Sequence, residues 1–207
     1  AAMRRTAADG WAFGWRNRSI RQMMWVGLIQ GAFMMWAFYA WQPHLLKLWG
    51  EQAVWLAGLI AALNALAGFF GAVLVGQLAG RMTRRSTALV IGLSTQVLCA
   101  IILGVTVSFW LATVALIVMM AAGGFMLPMR QAYLNSLIAS DKRATVLSFD
   151  SLVGNVGATA GNPALGWIDR AYGTSAGYLV GGVLLALGIP MFARLRSFND
   201  AEDFLKK

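Results

Sequence analysis

Long runs without Asp, Glu, Lys or Arg alternate along the chain with short clusters of basic residues. Residues 22–43 are charge-free, which suffices for one helix crossing a bilayer at about 20 residues per crossing. Residues 52–80 form a second, longer run. Residues 86–129 hold 44 charge-free positions, too many for one helix and enough for two joined by a tight turn. That turn is placed near Ser108, where Thr106 and Ser108 precede the aromatic pair Phe109 and Trp110. A fifth apolar segment contains Asp150, and residues 171–193 form a sixth. The pattern predicts spans at about 22–43, 53–80, 87–107, 109–137, 145–168 and 174–194. A linker over 1–20 precedes this six-span domain, which covers 21–195, and a tail over 196–207 follows it.

Composition supports a bilayer as the solvent. Hydrophobic residues make up 59% of the 207 positions and charged residues 12%, with a mean hydropathy of +0.65. A soluble domain carries about 25% charged residues, and a disordered chain needs low hydrophobicity. The net charge of +9 raises the question of nucleic acid, and the placement of the charges answers it. With six spans, 15 of the 17 basic residues fall on one side, leaving Lys47 and Arg170 on the other. The positive-inside rule makes the heavy side cytoplasmic and puts both termini there, so no nucleic-acid partner is needed. Tyr39, Trp41, Trp49, Trp55, Trp110, Trp167 and Tyr172 fall at the lightly charged ends, as an interfacial belt does. Arg4 and Arg5 are followed by a mixed polar stretch rather than the apolar core of a secretory signal. The beginning AAMRRTAADG reads as a loop from within a longer chain.

Polar positions separate the spans. Span six is almost wholly apolar and carries Gly177 and Gly181 at GxxxG spacing, whereas span five holds Ser148, Asp150, Ser151, Asn155, Thr159 and Asn162. Polar groups at membrane depth face protein or a water-filled cavity; Asn155 and Thr159 equally suit helix-to-helix hydrogen bonds. Span one offers Gln30 with Gly27 and Gly31, span two Asn64, and span three Ser94, Thr95 and Gln96. Arg130 and Asp150 lie ten residues either side of the loop centre near Ser140, so a helical hairpin brings them to one depth. An unpaired charge there is expensive, and each is the other's nearest obvious partner, with Arg81 a possible third member.

Catalytic chemistry finds little footing. The single histidine, His44, sits at a span end, which removes a membrane serine protease of the His-base type and a two-histidine metalloprotease. No phosphate-binding GxxxxGK[ST] loop is present, and the lone Cys99 excludes a disulfide framework and a cysteine zinc site. The Asn-Pro-Ala at Asn162, Pro163 and Ala164 occurs once, whereas water channels use two. No enzyme, metal or cofactor is indicated. Transport or a purely structural role remains.

Three stretches carry a family resemblance: GQLAGRMTRR over residues 76–85, YLNSLIASDKRATVLSFDSL over 133–152 and GWIDRAYG over 166–173. With six spans, the chain resembles the C-terminal six-helix half of a major facilitator superfamily transporter. The first stretch resembles the family's loop signature G-x-L-[AS]-D-R-x-x-[RK]-[RK], with Gly80 in place of the Asp. The resemblance implies an all-α membrane fold of two inverted three-helix repeats and a bacterial inner-membrane location. It implies a small organic solute moved by alternating access, with proton-coupled efflux or antiport as the family-level expectation. Spans one and four would line the path with two and five flanking it, which makes Gln30, Met34, Asn64, Met126 and Asn155 the candidates for substrate contact. Gly76 and Gly80 would let two helices cross closely. Arg81, Arg84, Arg85, Arg130, Asp150, Asp169 and Arg170 are the candidates for gating, with Arg130 and Asp150 as a cytoplasmic latch or, on the plainer reading, a static brace. The implied partners are membrane lipid and an N-terminal six-helix half, in the same longer chain or separate, or a second copy. The alternative is a six-span structural or assembly protein that transports nothing.

Overall fold

The computed structural model describes residue 12 and residues 14–50, 54–78 and 82–205, and within them the protein is helical. From residue 18 on, the described residues form, in order, the α-helices α1 Arg18–Trp49, α2 Val54–Leu78, α3 Arg85–Val105, α4 Phe109–Leu137, α5 Arg143–Tyr172, α6 Thr174–Ala186 and α7 Gly188–Phe198. A 3₁₀ turn, Ala201–Asp203, closes the described chain.

Local chemistry sets these boundaries. The Asn17 side chain caps α1, accepting from the amides of Ser19 at 2.9 Å and Ile20 at 3.2 Å. Residues 18–20, expected in a linker, therefore belong to the helix, and Ser19 and Ile20 are buried. At its far end α1 runs past Pro43, because His44 and Leu45 are buried and continue its apolar face, and it stops at Gly50 with φ 107°. Residues 106–108 form the turn before α4, where the Ser108 hydroxyl accepts from the Leu111 amide. Span six is two helices, α6 and α7. Pro190 has no N–H for the carbonyl of residue 186 and its ring crowds that carbonyl, so the regular helix ends at Ala186.

Among the described residues, five segments are long and apolar enough to cross a membrane, with α6 and α7 counted as one. α5 is not among them, although its 30 residues at 1.5 Å each give about 45 Å. Its polar side chains lower its hydropathy; Ser148, Ser151, Asn155 and Thr159 form an exposed stripe three to four residues apart. The outward face of the other helices is apolar, with Phe38, Trp55, Phe69, Phe70 and Trp110 among the exposed side chains. Such a surface suits lipid and not water.

Two tight crossings organise the bundle. α1 packs most extensively on α5, and α2 on α4. In the first, a Cβ at Gly31 would collide with the Gly154 carbonyl oxygen and one at Gly157 with that of Leu28. In the second, a Cβ at Gly124 would collide with the Gly68 carbonyl and one at Gly71 with that of Ala121. Each helix thus contributes two backbone sites three residues apart, in the same mutual arrangement at both crossings. Without a hydrophobic drive between helices in lipid, close backbone approach of this kind supplies the packing. Among the described residues no close crossing forms at Gly76, where a Cβ would meet nothing within 4 Å; the crossing of α2 with α4 lies five and eight residues earlier. Gly80 lies outside the described residues.

One end of the bundle gathers the starts of α1 and α3 and the finish of α4. Ser19 and Tyr133 both donate to Asp200 there, and Ser86 to Asp203. α1 therefore runs away from this basic end and α4 runs toward it.

Candidate functional site

A cavity of about 670 Å³ opens between α1, α3, α4 and α5, within the size range of small-molecule sites. α1 contributes Gln30 and Met34, α4 contributes Met126 and Arg130, and α5 contributes Asp150 and Ser151. Helical spacing accounts for this. Gly27, Gln30, Gly31 and Met34 recur at three and four residues on α1, as do Met126, Leu127, Arg130, Gln131 and Leu134 on α4. The glycines thin the wall and let α5 approach α1.

The floor is polar. Gln30 Nε2 donates to Gln96 Oε1 at 3.1 Å, and Gln96 from α3 is buried. The pair satisfies two amides that would be costly alone.

Arg130 and Asp150 form the charged edge. Arg130 Nη1 donates to Asp150 Oδ2 at 2.8 Å and Nη2 to Oδ1 at 2.6 Å, a bidentate fork. Nη2 also donates to the Met23 carbonyl at 3.0 Å, so one guanidinium ties α4 to α5 and to α1. The side chains are 13% and 10% exposed, which makes this a mostly buried pair. Gly27 leaves the guanidinium its room: a Cβ there would lie 2.9 Å from Nη2. The wall thus presents amides, thioethers and a self-neutralised ion pair.

The remaining predicted residues fall elsewhere. Asn64 is half-buried on α2, outside the cavity wall, with its Oδ1 buried and unpaired among the described residues. Asn155 is exposed one turn beyond Ser151 and does not line the cavity. Arg84 and Arg85 stand at the head of α3. Arg85 donates to the Ala132 carbonyl and the Ser136 hydroxyl, both at 3.0 Å, binding α3 to the end of α4. Arg84 lies over the Phe204 ring at 4.5 Å. Arg81, the candidate third member of the ion pair, lies outside the described residues. Asp169 and Arg170 are at the far end of α5, where Asp169 accepts from the Thr174 hydroxyl at 2.8 Å and pins the turn into α6. Neither touches the Arg130 and Asp150 pair.

Gln96 and Gln131 joined the site without being singled out as contacts. Gln96 was visible as a polar residue in an apolar span; Gln131 was hidden because it follows the charged residue that ends the apolar run. Asp200 and Asp203 carried the signal of acids in an otherwise basic tail.

The model for the Major Facilitator Superfamily matches residues 24–204. Among solved structures, a point mutant of the peptide transporter POT in complex with sulfate superposes with a TM-score of 0.71 at 17% identity, over 88% of this chain and 39% of that one. The same mutant with alafosfalin gives 0.71 at 16%, over 88% and 40%. The POT family transporter PepTSo gives 0.65 at 14%, over 84% and 37%. The chain thus spans about two fifths of the length of the transporters it resembles. A comparison with curated proteins returns no match. The matched family model covers nearly the whole chain, its fold agrees, and the chain belongs to the Major Facilitator Superfamily.

Proposed function

We propose that the chain is one six-helix wall of a secondary transporter that moves a small organic solute by alternating access. The single observation that carries this is the cavity, in which Gln30 and Met34 from α1 and Met126 from α4 converge beside the Arg130 and Asp150 pair. Adaptable methionines with a few fixed hydrogen-bonding groups suit an organic solute. The matched crossings support a pair of inverted three-helix repeats, α1 to α3 and α4 to α7. Exchanging the repeats carries the α1 and α5 crossing onto that of α4 and α2, glycine for glycine, with α1 and α4 running in opposite directions. In this reading α5 also crosses, as span five, which brings the crossings to six. Its polar stripe faces the missing wall, supplied by an N-terminal half or by a second copy.

The basic end is cytoplasmic, both termini lie there, and the protein sits in a bacterial inner membrane. Arg130 and Asp150 are a latch that holds α4, α5 and α1 together while the path is open outward and parts when it opens inward. Proton coupling remains the family-level expectation. The peptide-transporting neighbours make short peptides the first solutes to try, with organic cations second.

Proteoliposomes carrying the chain with and without a complementary N-terminal half test the reading. Counterflow of a labelled dipeptide or of ethidium is expected only with the complement present. No flux of either in any combination, with both halves inserted, would leave a structural membrane protein.

A further inference from the structure

Residues 199–205 fold back onto the basic end. α7 closes at Asn199 with φ 54° and ψ 36°, a left-handed conformation that asparagine tolerates well, and this reverses the chain. The turn that follows sets two carboxylates against three helices. Asp200 accepts from the Ser19 hydroxyl at the head of α1 and from the Tyr133 hydroxyl of α4, the latter at 3.2 Å. Asp203, 1% exposed, accepts from the amide and the hydroxyl of Ser86, both at 2.7 Å. The head of α3 has no cap of its own, since the Arg84 side chain makes none. Asp203 supplies it from 117 residues away, and the Leu205 amide donates to the Thr83 carbonyl at 3.0 Å. Asp203 is buried and Asp200 half-buried, and the protein donors that docking supplies replace the water each carboxylate gives up.

Tyr133 links this segment to the cavity. Pro128 lies inside α4 and removes the amide that would bond the carbonyl of residue 124, so the helix has a weak point there. The arm beyond it, residues 129–137, places Arg130, Gln131, Leu134 and Asn135 on the cavity wall, while Tyr133 is buried away from it. We propose that residues 199–205 are a strap that keeps the α4 arm closed over the basic end of the cavity. In it Asp200 and Asp203 are positioning residues that act through Tyr133 and Ser86. This rests on the cavity being the solute path.

The test combines hydrogen exchange of the full chain in lipid nanodiscs with labelling of Gln131→Cys, in a Cys99→Ala background, by a water-soluble maleimide. Tyr133→Phe keeps the ring and removes only the hydroxyl. It and Asp200→Ala are each expected to speed both exchange over 129–137 and labelling about tenfold, the worth of one charge-assisted hydrogen bond. Exchange at the α1 and α5 crossing should not change. Asp200→Asn keeps an acceptor and restores most of the protection, which general destabilisation would not. Unchanged exchange and labelling in Tyr133→Phe and Asp200→Ala, with labelling raised by Asp150→Asn, overturns the strap and leaves the cavity standing. No labelling in any background, Asp150→Asn included, removes the cavity reading and the strap with it.

Discussion

A guanidinium and a carboxylate among methionines and glycines are stable only while each answers the other, as Arg130 and Asp150 do with two parallel hydrogen bonds. Breaking a mostly buried pair from one side leaves an uncompensated charge, a loss of about 3–5 kcal/mol in soluble proteins. Asp150→Ala should therefore lower the melting temperature in detergent clearly more than Asp150→Asn, whose amide still accepts from Arg130. Asp150→Asn should instead shift the population toward inward-open and lower transport, since it loses charge assistance. The exchange Arg130→Asp with Asp150→Arg should recover part of the activity. Normal transport and unchanged accessibility from the basic end in Asp150→Asn would reduce the pair to scaffolding. Gln96 offers a second case. Gln96→Leu leaves the Gln30 amide without its partner across the cavity floor, and a loss of about 1–3 kcal/mol in stability is expected by thermal unfolding.

Among the elements, the helix-to-helix crossings are the least tolerant features. Gly157→Val would push a side chain into the Leu28 carbonyl, and Gly71→Val into that of Ala121. Each should cost about 1–3 kcal/mol or more by overpacking, read as lost thermal stability, whereas Gly76→Val on the open face of α2 should cost little. Most helices were legible from the charge-free runs, because a bilayer demands about 20 apolar residues per crossing and punishes charge. The turn at Ser108 was legible from its hydroxyls and flanking aromatics. The ends were harder to read. Pro43 looks like a terminator, but burial of His44 and Leu45 carries α1 six residues further. Pro190 looks harmless near a helix end and instead splits span six. Of the site, the pairing of Arg130 with Asp150 followed from hairpin arithmetic, whereas Gln30 and Met34 were expected there only through the family resemblance. Gly76 meets nothing among the described residues, because GxxxG spacing marks where helices are able to meet, not which of several glycines does. The contacts of Asp200 and Asp203 depend on a chain reversal at Asn199 that no local pattern announces.

For the whole molecule, the chain spans about two fifths of the transporters it resembles, and a path walled on one side only is a groove. As proposed above, this groove holds water and solute and is reached from one side of the membrane at a time. Gln30, hydrogen-bonded to Gln96 on the cavity floor, reports on it most directly. The measurement is the labelling of Gln30→Cys, with Cys99→Ala as background, by a membrane-impermeant thiol reagent applied to intact cells and to inside-out vesicles. With the complementary half present, labelling is expected from the outer face in the otherwise unaltered chain, and Asp150→Asn should transfer it to the inner face. If Gln30→Cys stays unmodified from both faces in both backgrounds, the cavity is a packed interface and the transporter reading of this site is wrong.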